Sequence, residues 1–161
     1  MTAVIISRVR TRVSTKAVIV NSDGKFLVLT NSNLGYDTHF AYIPDFPGGT
    51  VEAGETMEQS LIREVKEEIG IDITHASREE LADIDVPFKT YTIKLYLVWA
   101  NIRDVELDQE HCMFSWLTLD QMRTLHWWRS YDHMFEALDD KLGDLDGRDF
   151  IEYREARSIY A

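Results

Sequence analysis

The chain has little of several things. It has one cysteine in 161 residues, Cys112, so no disulfide framework holds it together and a reducing compartment suits it. It has three prolines and eight glycines, with no Pro/Gly/Ser-rich linker, no repeat and no low-complexity tract to divide it. No apolar run approaches the roughly 18 residues of a membrane helix. The opening MTAVIISRVR places its arginines after a short apolar patch, unlike a secretory leader. A soluble, cytoplasmic protein of one domain over residues 1–161 is the expectation. The tail after about residue 143 mixes charge and aromatics and is given no element. Basic residues are also scarce: 17 against 28 acidic ones, a formal net charge of -11. No basic stripe for a nucleic-acid backbone is evident, so no long nucleic acid is expected as a partner. An anionic substrate would need local cations to offset the repulsion.

What is present patterns as alternating strands and helices. The β-branched segment Arg12–Val20 reads as a strand, and Asp23-Gly24 as a hairpin turn into a second strand over 25–30. Residues 31–46 break the pattern and read as a loop with room for one short strand. Pro47, Gly48 and Gly49 mark a tight backbone feature. The clearest helix spans 56–69. Thr56 can cap it, Gln59 completes a capping box, and Gly70 can stop it. Met57, Leu61, Val65 and Ile69 form its apolar stripe, widened by Ile62. Further strands are expected over 81–86, 91–102 and 111–117, the last with Cys112, Phe114 and Trp116 on one side. Helices are expected over 119–125 and 130–142. This order points to an α/β fold, a mixed sheet covered by helices.

On the helix, Glu64, Glu67 and Glu68 fall within a sector of about 100° beside the apolar stripe. Glu64 and Glu68 are like charges at i, i+4, which destabilises a helix unless something positive intervenes. Hard oxygen donors near the rim of a buried face suit magnesium or manganese. A solvated acidic face with Arg63 and Lys66 in ion pairs explains the same glutamates equally well. The residues ahead of the helix bear on the choice. Gly48-Gly49 permits close backbone approach, Gly54 adds a flexible point, and Glu55 can reach back toward the loop.

The segment GTVEAGETMEQSLIREVKEEIGI, residues 49–71, resembles the signature of the Nudix hydrolases. Its fixed positions are met by Gly49, Glu55, Arg63, Glu64, Val65, Glu67, Glu68, Gly70 and Ile71. The resemblance implies an α/β/α sandwich with a mixed central sheet, in which the signature forms loop, helix and loop. It implies hydrolysis of a nucleoside diphosphate linked to another group. It implies metal binding by Glu64, Glu67 and Glu68 with a backbone carbonyl at Gly48, orientation of the glutamates by Arg63, and loop support from Glu55. Mg2+ is the implied cofactor, with Mn2+ as substitute. Members differ in the base, and some draw it from outside the signature. Glu110, His111 and Trp116 resemble a Glu-His-x-x-x-x-Trp pattern of many members, so Glu110 is the candidate for base and further metal ligand. Asp108 is its nearest competitor, and a structural role is expected for His111.

Substrate choice lies in surrounding loops. Phe40, Tyr42 and Phe46, and the run His126-Trp127-Trp128, are aromatic candidates for a base pocket or dimer contact, with core packing the simpler account. Pro87 resembles a feature of the ADP-ribose-cleaving branch. The expected substrate is a small nucleotide, a nucleoside triphosphate cut to monophosphate and pyrophosphate. ADP-ribose or a nucleotide sugar is the alternative. A non-catalytic nucleotide-binding regulatory module is the alternative of another class, but such domains often lack parts of the signature, and this chain lacks none. A homodimer fits the family's habits.

Overall fold

The computed structural model describes residues 12–34, 40–86, 90–128 and 131–142. The opening decapeptide, Pro87, Ser130 and the tail from Gly143 lie outside the described residues. Six strands, β1 (Arg12–Val20), β2 (Phe26–Asn31), β3 (Pro44–Asp45), β4 (Ser77–Asp85), β5 (Tyr91–Trp99) and β6 (His111–Leu117), form one mixed sheet. The order is β3-β2-β1-β5-β4, with β6 on the other side of β2. The β1–β5 pair is parallel over its whole length and the remaining pairs are antiparallel. The described residues also form three helices: α1 (Met57–Ile69), α2 (Leu119–Arg123) and α3 (Asp132–Leu142). Among the described residues, no helix is long and apolar enough to cross a membrane.

The β1 sequence explains the layering. Successive side chains of a strand point to opposite faces. Ala17 and Ile19 pack on one face with Leu61, Val65 and Ile69 of α1, while Val18 and Val20 pack on the other with Met134, Leu138 and Leu142 of α3. A central strand covered on both faces is apolar where both layers meet it, and β1 is apolar from Ala17 to Val20. The result is the expected α/β/α sandwich. Each fully buried leucine or valine of α1 contributes at most about 1.5–3 kcal/mol.

Helix α1 forms where its sequence signals place it. The Thr56 side chain accepts the Gln59 N–H, the Gln59 side chain accepts the Thr56 N–H, and Gly70 ends the helix at φ 74°. The structure differs from expectation mainly at element ends. Strand β4 begins at Ser77, four residues early, because it is an edge strand whose polar start pairs with β5 across a bulge near Glu80. Strand β5 ends at Trp99, α2 ends at Arg123, and α3 starts at Asp132. In β6 only Trp116 of the expected apolar side packs against the core; Cys112 and Phe114 are exposed at the sheet edge.

One departure from a regular sheet builds the site. Strands β1 and β2 are paired only at Val20 and Phe26, beside their hairpin. Beyond that point they part, and the chain after β3 fills the gap. Ala17 N–H donates to Pro47 O at 2.8 Å, Thr15 N–H to Gly49 O at 2.9 Å, and Val51 N–H to Val13 O at 2.9 Å. The glycine turn is therefore held in the plane of the sheet, satisfying donors that β2 leaves unpaired.

Candidate active site

Two glycines let the turn approach α1. Gly48 has φ 139°, and a Cβ there would lie 2.0 Å from Thr15 O. A Cβ on Gly49 would lie 2.6 Å from the Glu64 carboxylate. Main chain confines position 48 to glycine, whereas the obstacle at position 49 is the far end of an acidic side chain.

The three helix glutamates differ in environment. Glu68 is buried, 6% exposed. Its Oε2 accepts the Gly48 N–H at 2.8 Å. Glu64 is half-buried, and Glu67 is exposed. Arg63 joins the others. Its Nε and one terminal nitrogen donate to the two oxygens of Glu55 at 2.6 and 2.9 Å, a bidentate pair. Its other terminal nitrogen donates to Glu64 at 2.8 Å and to Glu67 at 3.2 Å. Glu55 Oε2 also accepts the Glu52 N–H at 2.9 Å, so the loop ahead of the helix is tied to the same guanidinium. Arg63 is thus the positive group that the like-charged helix face required.

The electrostatics follow. The hydrogen bond from Arg63, then that from the Glu52 N–H, pulls the Glu55 carboxyl down to about 2. The hydrogen bonds to Glu55 first, then to Glu64, raise Arg63 further against burial. Burial raises Glu64, with Arg63 opposing. Burial pushes Glu68 up to about 8, although Lys16 and the Gly48 N–H favour its charged form.

Lys16 is a neighbour of the glutamate cluster that sequence reading missed. Its Nζ donates to Asp45 Oδ2 at 2.9 Å, with little exposure on either side. Burial alone would lower its pKa, but Asp45 and Glu68 outweigh burial and raise it. Asp45 also accepts the Tyr131 hydroxyl at 2.8 Å and the Phe46 N–H at 2.8 Å. A signal was available: a lysine directly ahead of the apolar run Ala17–Val20 of β1 is a charge drawn toward the core that needs a partner.

Outside the helix, Asp108 N–H donates to Glu68 O at 3.0 Å and Glu106 N–H to Ile69 O at 3.1 Å. The segment carrying Glu110 is therefore tied to the end of α1, and the Glu110 side chain is exposed. His111 is buried and its Nδ1 lies 2.9 Å from Asp108 Oδ1. Of the aromatics, Phe46 is fully buried and stacks on Trp127 with centroids 5.0 Å apart. Phe40 meets Trp128 edge-on, and Tyr42 is exposed at φ 63°.

The donor set fits a hard divalent cation: three carboxylates at the rim of α1 and the Gly48 carbonyl, all oxygen. Among the described residues no three acidic, imidazole or thiol groups already share one metal-sized shell. Glu64 and Glu67 are turned to Arg63, and Glu68 to the Gly48 N–H. The buried Glu68 carboxyl is the member whose ionisation a nearby cation would favour most.

The NUDIX domain model matches residues 10–138. The chain belongs to the NUDIX family. It is 41% identical over 66 residues to an 8-oxo-dGTP diphosphatase of Proteus vulgaris, covering 40% of this chain and 59% of that protein. It is 36% identical over 91 residues to the nucleoside triphosphatase NudI of an Enterobacter species, covering 48% and 63%. These matches span about three-fifths of the relatives' lengths. Among solved structures, the MutT protein of Methanosarcina mazei superposes with a TM-score of 0.67 at 25% identity, over 81% of this chain and 94% of that one.

Proposed function

We propose that this NUDIX chain is a divalent-metal-dependent hydrolase of nucleoside diphosphate derivatives, acting on a nucleoside triphosphate to give the monophosphate and pyrophosphate. The observation that carries the reading is the carboxylate rim of α1, with Glu68 buried against the Gly48 N–H and Glu64 and Glu67 gathered by Arg63. Similarity to a diphosphatase and a nucleoside triphosphatase supports the triphosphate.

Glu64, Glu67, Glu68 and the Gly48 carbonyl would hold Mg2+ or Mn2+, with Glu110 as a further ligand. The cation, when bound, supplies charge neutralisation for the phosphates and makes water more acidic. Arg63 and Glu55 fix the carboxylates and the loop, so that little reorganisation is left for the reaction. Water adds to one phosphorus as the bridging P–O bond breaks. The water's proton passes to a carboxylate, which we assign to Glu110. Its exposure leaves it open to solvent, unlike Glu68.

A substrate panel with magnesium tests the reading, scored by phosphate released through a coupling pyrophosphatase or phosphatase. Pyrophosphate from nucleoside triphosphates is expected. Preference for ADP-ribose or a nucleotide sugar moves the substrate to the other branch. Tight nucleotide binding with no metal-dependent product identifies a regulatory module instead.

A further inference from the structure

Glu110 sits in a loop, yet its main chain is held at both ends. Its N–H donates to Asp108 Oδ1 at 3.1 Å. Its carbonyl accepts the Ser32 N–H at 2.7 Å, and the Ser32 hydroxyl donates to the neighbouring Gln109 O at 2.8 Å. Ser32 is itself buried, just past the end of β2. The same Asp108 Oδ1 meets His111 Nδ1 at 2.9 Å. An ionised carboxylate only accepts, so Nδ1 carries the proton and donates. The His111 side chain is 3% exposed, which leaves it no freedom to turn away. Asp108 finally ties this assembly to the helix through its own N–H, given to Glu68 O at 3.0 Å.

From this geometry we propose that Asp108 is a positioning residue, backed by His111 and Ser32, that sets the Glu110 carboxylate against the glutamates of α1. The inference rests on the assignment of Glu110 made above. Three bonds converge on Asp108, and each does a different part of the task. The N–H to Glu68 O fixes the loop's distance from the helix. The Oδ1 bond to the Glu110 N–H closes a tight turn that aims the next side chain. The His111 bond fixes the Asp108 rotamer, as a buried partner does for the residues that support a reacting group. Ser32 closes the far side, so that the Glu110 main chain is held on both sides while its carboxylate is exposed. Asp108 has a carboxylate of its own, but Oδ1 is already shared by two donors, which suits it to support rather than to proton transfer.

The test pairs turnover with an exchange measurement that needs no metal. Asp108→Ala should lower kcat by roughly 10–100-fold, the usual effect of losing a supporting residue, with little change in KM. The amides of Ser32 and Glu110 should exchange with solvent faster, by NMR in the metal-free protein. Asp108→Asn keeps the Oδ1 acceptor and should restore amide protection and most of kcat; it also serves if the alanine variant folds poorly. In the Glu110→Gln background, Asp108→Ala should cost little more, because the two act as one unit. Losses that multiply independently, or full kcat in Asp108→Ala beside an impaired Glu110→Gln, overturn the positioning role. Full turnover by Glu110→Gln is a different failure: it removes the Glu110 assignment and takes this inference with it.

Discussion

Glu68 and Gly48, 20 residues apart, share a 2.8 Å hydrogen bond that fastens the glycine turn to the end of α1. The bond closes at a buried carboxyl whose pKa is pushed up to about 8. A group with a raised acid pKa favours the folded state while it is protonated. The metal-free protein should therefore lose stability as pH rises from about 4.5 toward 8, the interval between the ordinary and the folded value. Glu68→Gln cannot ionise, and should flatten that pH dependence. At pH 8 it should be more stable than the parent by about 1–3 kcal/mol in chelator, well short of the full shift because the site can relax. Thermal melts at pH 6 and 8 read this directly. The same variant should be nearly inactive with magnesium.

The turn's two glycines should fail in different ways. At Gly48 an added Cβ meets main chain of β1, which cannot move without breaking the sheet. Gly48→Ala should cost about 3 kcal/mol or more, within the range of severe backbone and packing defects. At Gly49 the clash is with the far end of the Glu64 side chain, which can swing aside. Gly49→Ala should fold with a near-normal melting temperature and lose turnover. Equal thermal destabilisation by the two variants would contradict this account.

Much of this site was legible in the sequence, and the reasons are local. The capping box of Thr56 and Gln59, the stop at Gly70 and the stripe through Leu61, Val65 and Ile69 are short-range signals, and α1 forms where they put it. Spacing alone placed Glu64, Glu67 and Glu68 at the rim. What spacing could not order was their burial, because Glu68 is enclosed by the glycine turn and by Lys16, which come from other parts of the chain. The Lys16–Asp45–Tyr131 connection joins β1, β3 and the residue preceding α3, over separations no periodicity reports. Polar edge segments failed for a related reason. The start of β4, Ser77 to Glu80, shows no apolar alternation, and its strand identity comes from pairing with β5.

Arg63 is the shared partner of Glu55, Glu64 and Glu67, and its planar fork is what allows the sharing. Lysine keeps the charge but not the fork. Arg63→Lys should retain the fold and lower kcat by about 10–100-fold, the scale of a lost supporting contact. Arg63→Ala should do worse, since it leaves half-buried Glu64 without its cation. The comparison is made on kcat at saturating magnesium, with circular dichroism to confirm the helix. Lysine and arginine giving equal rates would mean that the bidentate geometry has no catalytic value.

Glu64→Gln should reduce turnover more than Glu110→Gln. Glu64 has the glycine turn closed over it and Arg63 bonded to it, whereas Glu110 is exposed on a loop. A carboxylate fixed between two elements has few substitutes, while a loop carboxylate can be replaced in part by water acting as proton acceptor. Single-turnover rates in magnesium, followed across pH, separate the two. The rate for Glu110→Gln should rise toward alkaline pH, where hydroxide replaces the missing base. Glu64→Gln should stay slow throughout.

Lys16 is the cation that makes two carboxylates tolerable, half-buried Asp45 by direct contact and buried Glu68 through space. Removing one partner of a buried pair leaves the other charge uncompensated, at a cost of about 3–5 kcal/mol, which is an upper limit for this half-buried pair. Lys16→Met, close in length and apolar, should destabilise the protein by up to that amount. Part of the loss belongs to Asp45 and can be returned. In Lys16→Met/Asp45→Asn the side chain at position 45 is neutral and can still accept from the Tyr131 hydroxyl and the Phe46 N–H, which now bond to Asp45 Oδ1. The double variant should therefore be more stable than Lys16→Met alone, by about 1–3 kcal/mol of coupling. Turnover should not return with stability, because Glu68 still lacks its compensating charge. Urea denaturation of the four proteins of the cycle, beside their kcat values, separates the contribution of Lys16 to folding from its contribution at the glutamate rim.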